Sequence, residues 1–442
     1  MKDYRRIADV LAQEIASGAL RPGERLPPQR EFAYQRRMAS STAARVYAEL
    51  ARRGLVTGEV GRGTFVSSPL SRQPPALTEP AGSDIDLSLN FPITEGQTTL
   101  LHSSLRTLLR DTTLEQISRP IGTRATMQAR AIAAAFMARG RWRPEAEAIL
   151  FTGNGRQAIA AALSALAPPG GRFGVEALTY PVLKGLAARL GITLIPIACD
   201  AEGMSPEALR RTLASTSLNG IYVQPSLHNP LGVTMSVNRR KQMAAALEDA
   251  NLTAIEDGVY GFLVDEEPLA RYAPDRIVLV DSLSKRIAPG ATLGILVAPR
   301  PLREGLTASV RSGAWAAAGL PLALGLQLMS DGAADEIGAC KRDDARSRHG
   351  LACRVLTHFH LQGDPRAYHI WAGLPDRWRA EAFALAAANQ GISVVPAGAF
   401  AVSPGHSPNA VRLALSSPPM PLLAASLETL NQLAASAPRE VE

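Results

Sequence analysis

From Ser67 to about Asp84 the chain reads SSPLSRQPPALTEPAGSD, a stretch rich in Pro, Ser and Ala with neither helical nor strand periodicity. Such a segment offers no apolar face to bury. No single core can run through it, so the patterned sequence on either side has to fold as separate units. The length of 442 residues agrees, since at ~150 residues per domain it exceeds one ordinary domain. Hydrophobic residues at 46% and charged residues at 20% exclude a disordered or fibrous chain.

Before the break, Ile7, Val10, Leu11 and Ile15 recur at helical spacing, and Gly18 follows where a helix C-terminus favours positive φ. The turn RPGERLPP precedes a short helix expected over 29–36. Ser40 or Ser41 is read as the cap of a third helix over 42–53, stopped by Gly54. Leu55-Val56 and Thr64-Phe65-Val66 read as strands joined by the tip GEVGRG. Three helices and a hairpin make a winged helix-turn-helix.

The charge agrees with that reading. Residues 1–69 hold 12 Lys+Arg against 7 Asp+Glu, a net of +5 out of the chain's +7. An excess located in this way points to nucleic acid. In a helix-turn-helix the second helix of the motif reads base edges with its N-terminal residues. Here those are Ser40, Ser41 and Thr42, with Arg45 one turn on. Arg30, Arg36 and Arg37 are placed for phosphates, and Arg62 at the wing tip for a phosphate or the minor groove. Any one of these arginines taken alone reads equally well as a solvated surface charge.

After Asp86 short apolar runs alternate with helical stretches: AILFT into GNGRQAIAAALSAL, GRFGVEA into a helix near 182–190, then GIYVQP, TAIEDG and RIVLVDSLSK. This is the pattern of an α/β fold with a mostly parallel sheet. AYHIWAGLP, GISVVPAG and AVRLALS then form a smaller C-terminal α+β lobe. The division is a head over 1–68, a linker over 69–85 and a body over 86–442. Cys199, Cys340 and Cys353 form no CxxC pair, so neither a disulfide framework nor a metal site is expected. The charged start MKDYRRIADVL is no signal peptide, and no apolar run reaches the roughly 18 residues of a membrane helix. A cytoplasmic protein is expected.

Lys285 follows an apolar strand, so its amine emerges at the strand's C-terminal end, where α/β sheets place ligands. Asp257 ends the strand before it. Asn229 and Tyr260 offer donors, and Ser282 and Ser284 offer hydroxyls. Gly153, Asn154 and Gly155 lie between a strand and a helix, where backbone amides can cradle a phosphate. A lysine for a Schiff base, an acid for a pyridine nitrogen, donors to a phenolic oxygen and a phosphate cradle are what pyridoxal phosphate requires. Singly each is weak, because a strand-end Lys or Asp is usually a surface residue and Asn-Pro-x-Gly usually a turn.

The ordered set is more specific. Residues 1–68 resemble the GntR-family winged helix in Tyr4, Ile15 with SGALRPGERLP, REFA at 30–33, Ser41, Arg45-Val46-Tyr47, Leu50, Gly54-Leu55-Val56 and GRGTFV at 61–66. The body resembles fold-type I aminotransferases in TGNGRQA, Tyr180, HNPLG, EDGVY, SLSKRIAPG and Arg412 of VRLAL. The combination is similar to the MocR/GabR family of bacterial transcription regulators. That resemblance implies a Schiff base between Lys285 and pyridoxal phosphate, ring stacking by Tyr180, and a carboxylate of the effector on Arg412. It also implies a domain-swapped homodimer in the bacterial cytoplasm, at the nucleoid. Its body senses a small amino compound or the cofactor itself, and its heads bind double-stranded promoter DNA.

Three positions depart from the family pattern. Pro28 stands where a Ser or Thr cap is usual. Thr292, in PGATLG, stands where an arginine normally holds the phosphate, and RPIGTRATMQAR lacks the tyrosine often given by a neighbouring subunit. Arg124, Arg156 and Arg286 are the candidates for the missing charge. Its loss predicts cofactor binding weaker by roughly 1.5–3 kcal/mol. Three functions stay open: a sensing regulator without enzymatic turnover, an active aminotransferase with a DNA-binding appendage, and a regulator whose body has lost the cofactor and serves as a dimerisation scaffold.

Overall fold

The computed structural model describes residues 4–21, 23–52, 55–59, 63–66, 85–110, 117, 120–403 and 407–436. The break at 67–84, Gly54 and the wing-tip Arg62 lie outside the described residues.

The head has helices Tyr4–Ala16, Gln29–Gln35 and Ser40–Arg52 and strands β1 (Arg25–Leu26), β2 (Val56–Glu59) and β3 (Gly63–Val66). β3 is central and antiparallel to both neighbours. β1 was hidden inside RPGERLPP: Gly23, at φ +81°, turns the chain so that Arg25 and Leu26 align with Phe65 and Thr64. The third helix begins two residues earlier than the sequence suggests. Ser40 and Ser41 therefore sit in its first turn, and Thr42 N–H donates to Ala39 O at 2.9 Å. Arg37, at φ +50°, makes the interhelix turn tight enough for this early start. Pro28 gives the second helix no side-chain cap; its carbonyl accepts from Phe32 N–H at 2.9 Å. Ala8, Leu11, Ile15, Leu26, Val46 and Leu50 fill the core, and Phe32 meets Tyr47 edge-on at 5.3 Å.

The body starts with β4 (Ile85–Asp86). Its main sheet comprises β5 (Ile149–Thr152), β6 (Arg172–Glu176), β7 (Thr193–Ile197), β10 (Gly220–Val223), β11 (Ala254–Asp257), β12 (Ile277–Ser282) and β13 (Gly294–Val297), with a β8–β9 hairpin (Cys199–Asp200, Gly203–Met204) outside it. The order is β5-β13-β12-β11-β10-β6-β7, and β13 alone runs antiparallel within it. Alternate residues sort to the two faces: Ile221, Val223, Leu279 and Ile295 go to one cluster, and Tyr222, Ile255, Val278 and Val280 to the other. Both faces are covered, which explains why these strands read as continuous apolar runs.

The smaller lobe holds β14 (His360–Gln362), β15 (His369–Gly373), β17 (Val395–Pro396) and β18 (Ala410–Ala414) in the antiparallel order β14-β15-β18-β17, while β16 (Ile392–Ser393) pairs with β4. The head packs on this lobe. Ser407 N–H and Oγ both donate to Gly58 O at 3.3 Å, and the Arg379 guanidinium lies 4.9 Å from the centre of the Phe65 ring. Phe65 is 3% exposed yet belongs to no part of the head's own core.

Candidate functional site

Parallel strands end on a common edge, so β11 and β12 bring Asp257 and the Ser282–Lys285 turn together. Lys285 leaves a one-turn helix, Leu283–Arg286, whose N-cap is Ser282: its Oγ accepts from Ser284 N–H at 3.1 Å. The Lys285 amine donates to Asn90 O at 2.7 Å and lies 3.6 Å from the centre of the Phe91 ring. Burial pushes its pKa down to about 7, helped by the charges of Arg412 and Arg156 and opposed by Asp257. Near neutrality much of it is a free-base nucleophile, the form that attacks a carbonyl.

Asp257 is buried and accepts from Tyr222 Oη, from Gln224 Nε2 at 3.0 Å and from Val259 N–H at 3.2 Å. These partners are uncharged, and burial raises its pKa. Such a carboxylate fits a protonated ring nitrogen, which would supply a counter-charge. Tyr260 Oη accepts from Asn90 Nδ2 at 3.0 Å, and burial moves the phenol up to about 12. Tyr180 Oη accepts from Arg156 Nε at 3.3 Å. Asn229 is buried with its Oδ1 unpartnered. Arg412 is buried on β18, donates to Ser88 O at 2.7 Å and stacks 5.4 Å from the Phe400 ring.

At the other end of the site, Asn154 caps the helix Gly155–Leu166 by accepting from Gln157 N–H at 3.0 Å. Gly155 lets the helix start close to Ser282, since a Cβ there would stand 3.1 Å from Ser282 Cβ, a tight contact. The cradle and the hydroxyls are thus in contact. Ser282 Oγ is 2.9 Å from Ser284 Oγ and 3.2 Å from Thr292 Oγ1, and Thr292 also meets Ser284. Three neutral hydroxyls occupy the place where an arginine was expected. Gly153 N–H differs from expectation: it donates to Trp315 O at 3.1 Å. Of the candidate replacements, Arg286 is turned away, stacked 4.1 Å from Phe136 and 3.9 Å from Asp281. Arg156 faces the Tyr180 hydroxyl.

Sequence reasoning missed Asn90 and Phe91, which touch Lys285, and Tyr222 and Gln224, which hold Asp257. The last two stand on GIYVQP, recognised as a strand but not as a source of ligands. LSLNFP carried no signal, because a loop threaded past a distant lysine leaves no periodicity. His369 was also missed; its ring packs 5.5 Å from Tyr260, and burial drops its pKa to about 3. Among the described residues no cluster of metal-ligating side chains exists, and no helix is long and apolar enough to cross a membrane.

On the head, Arg30, Arg36, Ser40, Ser41 and Arg45 are exposed and Thr42 is half-buried. Arg36 also makes a 3.6 Å ion pair with Glu14. The lobe contacts lie on the turn and strand side of the head, so the N-terminal end of the third helix is open.

Comparison with known proteins gives the same division. Residues 83–427 match the aminotransferase class I and II family, and residues 3–66 match the bacterial regulatory proteins of the gntR family. The HTH-type transcriptional regulator YdeF of Bacillus subtilis is 29% identical over 94% of this chain and 90% of its own. The HTH-type pyridoxine biosynthesis transcriptional regulator PdxR of Corynebacterium glutamicum is 27% identical over 67% of this chain and 66% of its own. An archaeal alanine:glyoxylate aminotransferase superposes with a TM-score of 0.73 at 21% identity, covering 79% of this chain and 90% of its own. The chain therefore belongs to the aminotransferase class I and II family, and with its gntR-family head it is a member of the MocR/GabR group of regulators.

Proposed function

We propose that this protein is a transcription regulator that binds promoter DNA through its head and senses a small amino compound, or pyridoxal phosphate itself, through its body. The observation that carries the reading is the buried Lys285 amine, held between Asn90 O and Phe91 in one site with Asp257, Tyr260 and Arg412, in a chain whose recognition helix stays open. Pyridoxal phosphate, when bound, supplies an aldehyde for an amine to condense with and a ring that draws electrons.

The protein's own groups have distinct parts. Lys285 would provide the amine that holds the cofactor and could exchange it for an incoming one. Asp257 would pair with a protonated ring nitrogen, Tyr260 and Asn229 would be the donors for the phenolic oxygen, and Tyr180 would stack on the ring. Asn154, Gly155, Ser282, Ser284 and Thr292 would line the phosphate end, Gly153 contributing to the turn while its N–H stays on Trp315 O, and neutral donors alone there would make retention weak. Arg412 takes a carboxylate of the effector. Arg45, with Ser40, Ser41 and Thr42, reads bases, while Arg30, Arg36 and Arg62 hold phosphates.

Transmission has a physical route. Arg412 and Ser407 lie five residues apart on the approach to β18 and its length, one at the ligand site and the other against the head. A ligand with unequal affinity for two lobe positions would move the head with the lobe. A second copy of the chain is the expected partner, and exposed Ile93, Leu105 and Leu109 favour it. The test is a gel shift with the protein's own upstream DNA, with and without pyridoxal phosphate and amino acids. Retardation that weakens with salt and responds to an added ligand is expected; no retardation at any salt would remove the regulator reading.

A further inference from the structure

Lys341 is a second buried lysine beside the site, fully enclosed and without a part in the chemistry above. Its amine donates to Ile287 O at 2.7 Å and to Lys285 O at 3.2 Å. Gln97 Nε2 reaches the same Ile287 carbonyl at 3.1 Å. These carbonyls belong to the exit of the one-turn helix Leu283–Arg286, where Ile287 takes φ −107° and ψ −91° and the chain leaves helical geometry.

A single helical turn does not hold itself together, because nucleation fixes several dihedral angles for one hydrogen bond. External ties have to set its position. Ser282 ties the start. Lys341 and Gln97 tie the end, each from a different element. The helix that supplies Lys341, Ala333–Val355, is itself anchored: Arg342 donates to Phe262 O at 3.0 Å, and Arg348 to Leu415 O at 2.9 Å. A buried lysine facing neutral carbonyls is a costly choice for packing alone, since an apolar chain of the same length fills the space without desolvating a cation.

We infer that Lys341 is a positioning residue for Lys285, clamping the carbonyl end of the single helical turn from which that lysine reaches the site. Its charge acts in the same place. Arg412, Arg156 and Lys341 all disfavour a proton on Lys285 and Asp257 favours it, while Asp344 is the acid beside Lys341. Burial pushes the Lys341 amine down to about 7 too, so it is a cation mainly at and below that pH, and taking that cation away leaves Lys285 easier to protonate there.

The inference rests on the reading of Lys285 as the cofactor lysine, so the test has one arm that needs no cofactor. Full-length wild type, Lys341→Met and Lys341→Gln are compared, with circular dichroism as the check on folding. In the first arm, cofactor-free protein is acetylated with acetic anhydride across a pH series, and mass spectrometry follows Lys285. Both variants should move the reactivity midpoint upward from the wild-type value, expected at about 7. In the second arm, pyridoxal phosphate is titrated and its absorbance followed. Lys341→Met should bind roughly tenfold more weakly, because the part-buried Lys285 carbonyl loses its donor while Ile287 O keeps only Gln97, and Lys341→Gln, which keeps a donor, should recover most of it. Folded variants with an unchanged midpoint and unchanged binding overturn the inference. If Lys341→Met fails to fold, Lys341→Gln reads the midpoint alone, and an unmoved midpoint there overturns it equally. A wild type that takes up no pyridoxal phosphate while the midpoint still moves refutes the cofactor reading and upholds the clamp.

Discussion

Replacing Thr292 by arginine tests whether the three-hydroxyl cluster is the phosphate end of the site. Thr292 Oγ1 stands 3.2 Å from Ser282 Oγ and within hydrogen-bonding reach of Ser284 Oγ, and the residue is only half-buried. A longer side chain therefore has room to place a guanidinium beside the two serines with part of it in solvent. Two unit charges about 4 Å apart attract by ~4 kcal/mol at the effective dielectric of ~20 found near protein surfaces. Desolvation and the ordering of a flexible side chain take back much of that, leaving roughly 1–2 kcal/mol, or about 5- to 30-fold in affinity. Cofactor-free wild type and Thr292→Arg should be titrated in parallel with pyridoxal phosphate and with pyridoxal, which has the same ring and aldehyde but no phosphate. The variant should bind pyridoxal phosphate 5- to 30-fold tighter, on the estimate of roughly 1–2 kcal/mol above, and pyridoxal unchanged. Equal shifts for both ligands, or weaker phosphate binding in a folded variant, would refute the assignment of the cluster to the phosphate.

Further outcomes follow from the same geometry. Capture of pyridoxal phosphate should speed up as pH rises through about 7, because the lowered pKa of Lys285 makes its amine neutral above that point and protonated below it; stopped-flow absorbance measures this, and a flat profile from pH 6 to 8 counts against a titrating Lys285. Lys285→Ala should abolish the cofactor's bound absorbance band while leaving the circular dichroism intact. Arg45→Ala should cost roughly 1–3 kcal/mol on the cognate site with little change in salt slope, whereas Arg30→Ala should lower that slope by about 1 on any sequence; anisotropy titrations at several salt concentrations separate the two. Leu50→Ala, at a fully buried position of the head, should cost roughly 2–5 kcal/mol and remove DNA binding while cofactor uptake persists; loss of both together would show that the head does not fold as its own unit.

The parts of the structure legible in the sequence were those with local causes. Helices and main-sheet strands announce themselves by periodicity, and the order TGNGRQA, HNPLG, EDGVY, SLSK marks successive strand ends on one edge. What stayed hidden depends on contacts remote in sequence. β1 is a strand because β3 lies beside it, and nothing within RPGERLPP separates that from a turn. Asn90 reaches Lys285 across 195 residues and Tyr260 across 170, so LSLNFP looked like an unremarkable start to the body. Lys341 sits in a helix whose sequence, with many charged residues, reads as solvent-facing, and its burial is visible only once that helix is packed on the lysine turn.

The contact between head and lobe has the same origin and bears on how the proposed ligand signal would leave the body. Phe65 alternates with Val66 along β3, and Val66 goes into the head's own core while Phe65 is buried outside it. An aromatic on the outward face of a small wing is a liability in a free-standing domain and is accounted for here by Arg379 lying over its ring. The Ser407 contact on Gly58 adds a second tie, on the segment that continues into β18. β18 is bonded on both sides, to β15 and β17, and a strand so held is displaced as a unit with its sheet. Arg412 is on that strand. The side chain proposed to meet a carboxylate and the Ser407 contact with the head thus lie on one short run of chain, so a ligand that displaced the lobe would act on the position of the head.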